Sequence, residues 1–424
     1  MEPLTISSTN EYFVRAGKPF FYLADTVWSA FTNISLEEWE EFLHYRKMQG
    51  FNVLQINILP QWDRSQSDRD TLEPFHTTKS GYWDFSAPNE AYFSKAQQMV
   101  AMACKQGFTP ALVVLWCNYV EGTWGAERLP GNQIPLEMVR PYVQYVARIF
   151  AEYQPIFLLS GDTDFKTQTT QTCYLTALKA MKELCPAALT TLHLNPPTDL
   201  PEELIKAAEL DFYMYQSGHS IEEQANAYVL ARRFAAKGVK RPVINGEPCY
   251  EGHGFGHQYG RFSAFHVRKA VWQSLLSGAK AGFTYGAHGV WSWHEPGKAF
   301  PGLAFSGEPY SWKTALHFEG AWDAGFIKWM FETYQLFDIE PDHALLSSDT
   351  PEIRAAASHN KEKVVVYLPF NAEVELQCDF SSYQWVAFDL ATRRVVIPDV
   401  RTGHGSTIFP LHCFNSDVLY LGIR

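Results

Sequence analysis

The sequence predicts a (β/α)8 barrel followed by a small antiparallel β-sandwich, and three observations carry that expectation. Short apolar runs recur between residues 20 and 285 with helical segments between them, the pattern of parallel strands buried on both faces. These runs number eight, the count that closes a barrel. From Ile353 onward the pattern changes to short alternations of apolar and polar residues, as in 363–368 and 385–388, which reads as antiparallel strands. A chain of 424 residues exceeds one ordinary core. The change of pattern divides it into 1–338, the barrel, and 339–424, the sandwich.

Residues 4–24 read as extended segments around a turn at Ala16-Gly17-Lys18-Pro19, ending in Phe20-Phe-Tyr-Leu-Ala24 and stopping at Asp25-Thr26-Val27-Trp28. Ser35-Leu-Glu-Glu38 is a capping box that opens a helix to about Gly50. The second strand runs over 52–57 and ends at Asn57. The polar and aromatic stretch from Leu59 to Pro88 reads as a functional loop, because Trp62, Tyr82 and Trp83 oppose disorder. Helices are expected near 90–106, 136–152 and 168–184, between strands at 109–116, 156–160 and 188–194. Two further helices, from Pro201 and over 220–237, flank the strand 211–216. The run Arg241-Pro-Val-Ile-Asn-Gly-Glu247-Pro then places a carboxylate where a buried strand stops. A helix at 261–277, the last strand 282–285 and a helix at 324–336 complete the barrel.

Composition excludes several function classes. A net charge of −11 disfavours nucleic acid and anionic membranes, which are bound through basic surface. No apolar run reaches the length that spans a bilayer. The opening Met-Glu-Pro-Leu-Thr-Ile-Ser lacks a basic and then apolar leader, so a cytoplasmic location is expected. Seven cysteines without a CxxC pair argue against a zinc knuckle and a disulfide framework, and read as reduced thiols. Thirteen tryptophans suit core packing and also stacking on sugar rings.

The strand ends present Asp25, Asp162, Asp164, Glu247 and Glu251. A single carboxylate at a strand end is usually a cap or an ion-pair partner. Asp162 and Glu247 close the fourth and seventh strands, which face each other across the mouth of a barrel. Hydrolysis of a glycosidic bond needs two such groups, one protonated to donate to the leaving oxygen and one ionised. His193, His219, His253, His257 and His288 offer a metal-dependent alternative, but none of them forms a His-x-His pair at the first strand. Trp28, Trp116, Trp291 and Trp293 lie near strand ends, and one or more of them is expected to stack on a sugar.

The stretches Leu23-Ala-Asp25-Thr26-Val-Trp28, Leu158-Leu-Ser-Gly161-Asp162, His193, Gln216-Ser-Gly-His219, Asn245-Gly-Glu247-Pro248 and Phe283-Thr-Tyr-Gly-Ala-His288-Gly-Val-Trp291 together resemble the apiosidase-like (β/α)8-barrel glycoside hydrolases, relatives of the large clan A of retaining glycosidases. The resemblance continues through Pro341-Asp342-His-Ala-Leu-Leu into a tail similar to the β-sandwich that ends many members. It implies a retaining mechanism, with Asp162 as general acid/base and Glu247 as nucleophile. It also implies that Asp25, His193, Gln216, His288 and Trp291 hold the sugar in the leading subsite; Trp28, Asn57 and Trp116, at strand ends, are further expected to bind it. Neither a metal nor an organic cofactor is called for. The expected partner is a carbohydrate, a plant- or host-derived oligosaccharide or glycoside. Gly161-Asp162 stands where much of the clan has Asn-Glu, which leaves Asp164 as a rival acid. A non-catalytic sugar-binding barrel and a metal-dependent hydrolase are the other readings, and the sandwich is expected to brace the barrel.

Overall fold

A computed structural model describes residues 2–69, 71–348 and 350–424. Eight parallel strands form one sheet: β1 (Tyr22–Thr26), β2 (Val53–Asn57), β3 (Thr109–Trp116), β4 (Ile156–Gly161), β5 (Thr190–Thr191), β6 (Tyr213–Gln216), β7 (Val243–Glu247) and β8 (Gly282–Tyr285). Their order is β5-β4-β3-β2-β1-β8-β7-β6. The ring closes between its two ends through a single parallel bridge, His193 with Met214, and through Asp211 N donating to the Thr190 carbonyl at 2.9 Å. Every residue of the eight strands is buried, which explains why they read as unbroken apolar runs. The fifth strand is shorter than the expected 188–194.

Helices follow the strands on the outside: α1 (Leu36–Met48), α2 (Glu90–Lys105), α3 (Leu136–Phe150), α4 (Gln168–Leu184), α5 (Glu202–Lys206), α6 (Asn226–Ala235), α7 (Ala264–Leu275) and α8 (Gly320–Tyr334). The capping box is present at α1: Ser35 Oγ accepts from Glu38 N, and Ser35 N donates to Glu38 Oε2 at 3.1 Å. The turn at Ala16-Gly17 is a two-residue hairpin with positive φ at both positions. Its Phe13 packs on Tyr22 and Phe212 and so plugs the N-terminal end of the barrel. The 59–88 stretch is not wholly irregular. Phe75–Thr77 pairs antiparallel with Trp83–Pro88, and Phe75 and Phe85 pack together beneath the hairpin.

From Ile339 the chain builds two antiparallel sheets. The larger contains six strands, among them β9 (Arg354–Ser358), β10 (Lys363–Leu368), β11 (Gln384–Asp389) and β12 (Val418–Ile423); the smaller contains three. Alternation assigns each side chain to a layer. Val364, Val366 and Leu368 point into the sandwich with Trp385, Ala387 and Tyr420. Val365, Tyr367, Phe388, Leu419 and Leu421 point the other way and join the core of the barrel. Tyr367 stacks near Trp272 of α7, and Phe388 meets Tyr334 of α8 edge-on. Arg268 of α7 crosses this junction, binding Asp323 of α8 and Asp417, which immediately precedes β12, at 2.8 Å each, all three side chains nearly inaccessible. No helix among the described residues is long and apolar enough to cross a membrane. All seven cysteines are free thiols.

Candidate active site

A cavity of about 390 Å³ opens at the C-terminal ends of the strands, the face on which barrel enzymes carry their chemistry. Asp162 and Glu247 both line it. Glu247 is the last residue of β7 and is 6% exposed. Asn245, two residues earlier, is anchored by Ser217 Oγ and Ser274 Oγ, to which its amide donates at 2.9 and 3.0 Å. A register shift between Tyr215 and Gln216 brings Gln216 level with Glu247, a bulge that re-aims a side chain into the site.

Two imidazoles hold the Glu247 carboxylate. His219 Nε2 donates to Oε1 at 2.8 Å. His193 Nε2 lies 3.2 Å from Oε2, within ion-pair range but out of line for a hydrogen bond. Burial raises the carboxyl pKa, and the two histidines more than offset it, so that Glu247 is held down at about 2.

Asp162 lies just beyond β4 with φ at +48°, a left-handed conformation that Asp tolerates better than most residues. Gly161 before it is obligatory, because a Cβ there would come within 2.1 Å of the Trp116 ring. The backbone N–H of Asp162 donates to His193 Nδ1 at 3.0 Å, and its carbonyl accepts from Trp124 Nε1 at 2.7 Å. Gln216 orients its amide nitrogen toward Asp162 Oδ1 at 2.9 Å. Burial, followed by the charges of Glu247, Asp63 and Asp164, pushes the Asp162 pKa well above the ordinary carboxyl value. The cavity therefore biases its two strand-end carboxyl groups in opposite directions, Glu247 toward the ionised form and Asp162 toward the protonated one. Asp164 is not part of the wall. It accepts from Trp124 N and pairs with Lys166 Nζ at 2.9 Å.

The structure brings Trp28, Trp116, Gln216 and Trp291 to the cavity wall. It does not bring Asp25, Asn57, His193 or His288 there. Asp25 is fully buried against Arg46, Nε to Oδ2 at 2.5 Å, beneath the site. Asn57 donates to Gln61, which lines the cavity in its place. His193 acts through Glu247 and Asp162. His288 donates from Nε2 to the Gly307 carbonyl at 3.0 Å and accepts at Nδ1 from Trp291 Nε1 at 3.2 Å, so it orients Trp291. Glu251 likewise serves the fold: its Oε2 accepts from Tyr285 OH at 2.6 Å and from Gly320 N at the start of α8.

The cavity also contains residues that strand-end reasoning passes over. Asp63, from the loop after β2, is a third carboxyl group on the wall; burial and the charge of Glu247 raise its pKa to about 7 against the lowering effect of Gln61 and Arg128, and its Oδ1 has no protein partner. Tyr250, three residues after Glu247, accepts at its hydroxyl from Trp28 Nε1 at 3.0 Å. His253 stacks on His219 at 4.7 Å and donates to the Gly254 carbonyl. Among the described residues the cluster with metal-ligand spacing is Glu11, Glu340 and His359; none of these lines the cavity, and Glu11 already pairs with Lys240 and Lys280.

Comparison with known proteins agrees with this architecture. No curated protein sequence matches the chain. Solved structures are similar over the full chain, two of them with TM-scores above 0.8. One, described as a glycoside hydrolase, is 20% identical and covers 100% of this chain and 97% of its own, with a TM-score of 0.83. The other, a glycoside hydrolase family 5 protein from Bacteroides vulgatus ATCC 8482, is 18% identical and covers 100% and 93%, with a TM-score of 0.82. At these identities the likeness establishes the shared fold. The family model for the apiosidase-like catalytic domain matches residues 7–338, so the chain belongs to the apiosidase-like family of glycoside hydrolases.

Proposed function

We propose that this protein cleaves glycosidic bonds with retention of anomeric configuration, residues 1–338 forming the catalytic unit and 339–424 a β-sandwich that braces it. The observation that carries the reading is the opposed state of two carboxyl groups in one cavity: Glu247 held ionised by His193 and His219, Asp162 held protonated by burial and by the charge of Glu247. Asp162 gives its proton to the glycosidic oxygen as Glu247 attacks the anomeric carbon, and the leaving group departs as an alcohol. Loss of that proton leaves Asp162 a carboxylate. It then takes a proton from water, which attacks the same carbon and releases Glu247 and the free sugar. Trp28, Trp116 and Trp291 provide the apolar faces of the wall, and Gln216 holds the acid in place.

A panel of aryl glycosides, including apioside, arabinosides, galactosides, glucosides and rhamnosides, tests this with wild type and Glu247→Gln side by side in chelator. Wild type is expected to turn over one of the sugars and the variant to lose activity by several orders of magnitude with an unchanged fold. Proton NMR of the first-formed product then reads the anomeric configuration. A fully active Glu247→Gln enzyme removes the nucleophile assignment, and an inverted product removes retention.

A further inference from the structure

Asp162 is held by its main chain as well as by its carboxyl group. It has left β4 and turned into the left-handed region, with φ at +48°, a conformation that persists in an L-residue only where the surroundings over-determine it. Two side chains do so. On one side His193 Nδ1 accepts its N–H at 3.0 Å, and on the other Trp124 Nε1 donates to its carbonyl at 2.7 Å. Rotation toward the ordinary extended region would carry that carbonyl away from the indole. The carboxyl group, on the same Cα, would turn with it.

Trp124 is itself fixed from behind. It opens a short helix, Trp124–Arg128, whose cap is Thr123, with Oγ1 accepting from Ala126 N at 3.2 Å. The Trp124 N–H donates to Asp164 Oδ1 at 3.2 Å, and Thr170 Oγ1 of α4 donates to the Glu121 carbonyl at 2.9 Å, so the loop that carries the indole is tied to the segment that carries the acid. The ring is half-buried, lines the cavity and meets Trp62 edge-on at 6.2 Å. Bound to the carbonyl of Asp162 and not to its carboxyl, the indole neither gives nor takes the proton in question. It aims the group that does.

We propose that Trp124 is a positioning residue for the general acid: its indole N–H keeps Asp162 in the left-handed conformation that presents the carboxyl group to the glycosidic oxygen. The proposal rests on the glycosidase reading above and adds a residue that acts through the backbone of the acid. Gln216, by contrast, acts on the carboxyl group directly.

A misplaced acid is costly only where the leaving group needs a proton. The test therefore compares two glycosides of the sugar that the aryl panel identifies: the phenyl glycoside, which leaves poorly unless protonated, and the dinitrophenyl glycoside, which leaves unaided. In Trp124→Phe, verified by thermal melting, kcat/KM on the phenyl glycoside is expected to fall by about 10–100-fold, chiefly through kcat, and on the dinitrophenyl glycoside to stay within about twofold of wild type. Replacing Trp124 with benzothienylalanine keeps the fused rings and puts sulfur in place of the N–H. It should give the same split, and it serves if the phenylalanine variant fails to fold. Equal losses on the two glycosides, or no loss on either, overturn the positioning role and leave the glycosidase intact. Absence of turnover by wild type on every sugar of the panel overturns the glycosidase reading, and the role of Trp124 falls with it.

Discussion

His193 accepts the backbone N–H of Asp162 at Nδ1, 3.0 Å away, and this bond places its own proton on Nε2, 3.2 Å from Glu247 Oε2. A single buried imidazole thus touches the main chain of Asp162 and the carboxylate of Glu247, and fixes the tautomer that favours an ionised Glu247. Because His193 also forms the bridge that closes the barrel against Met214, the geometry of the site and the closure of the sheet depend on the same residue.

In the proposed reaction the histidine pair sets the acid limb of activity. Glu247 must be ionised to attack, and its pKa is held near 2 by His193 and His219 against the upward push of burial. Removing a donor raises that pKa. His219→Phe, which leaves the barrel bridge intact, is therefore expected to move the acid limb of kcat/KM to higher pH and to lower the plateau by about 10–100-fold, the usual scale for losing a charge-assisted bond at an active site. A pH–rate profile from 3 to 9 checks this. An unmoved acid limb would remove His219 from the account of Glu247.

In the proposed reaction the alkaline limb belongs to Asp162, the general acid, and here Asp63 enters. Its carboxylate is one of the charges that raise the Asp162 pKa, after burial and Glu247. Asp63→Asn deletes that charge. The Asp162 pKa then falls and the alkaline limb moves to lower pH, whereas the acid limb, set by Glu247, stays near its place. Profiles of kcat and kcat/KM from pH 3 to 9 check this, and an unmoved alkaline limb removes Asp63 from the account of Asp162.

Much of the fold was legible because every barrel strand is buried on both faces and several of the α-helices open on a capping side chain, as α1 does with Ser35 and Glu38. The alternating runs near Val364 and Trp385 were equally readable, since each face of the sheet meets a different core. The site was less so. A strand-end position says that a side chain can reach the cavity mouth, but not whether a neighbour already occupies it. Asp25, Asp162 and Glu247 look alike in sequence; only the fold shows that Arg46 lies beneath the first and open cavity beside the other two. Asp63 and Trp124 lie beyond strand ends in segments without periodicity, and a search limited to strand termini passes over them.

Asp25 gives the contrasting mutation. Its carboxylate and the Arg46 guanidinium are fully inaccessible, and Arg46 also donates to Gln49 Oε1 at 2.6 Å and to the Leu316 carbonyl at 3.0 Å. Burial raises the Asp25 pKa to about 6, and Arg46 works against that rise. Asp25→Ala leaves a buried guanidinium without its counter-charge, a change that costs about 3–5 kcal/mol. The expected outcome is a large fall in unfolding free energy in urea with little change in KM below the melting transition, because Asp25 does not reach the cavity. A contact with substrate would give the reverse: a raised KM in a protein of near wild-type stability. Equilibrium unfolding and steady-state kinetics on one preparation distinguish a buried strut beneath the site from a ligand within it.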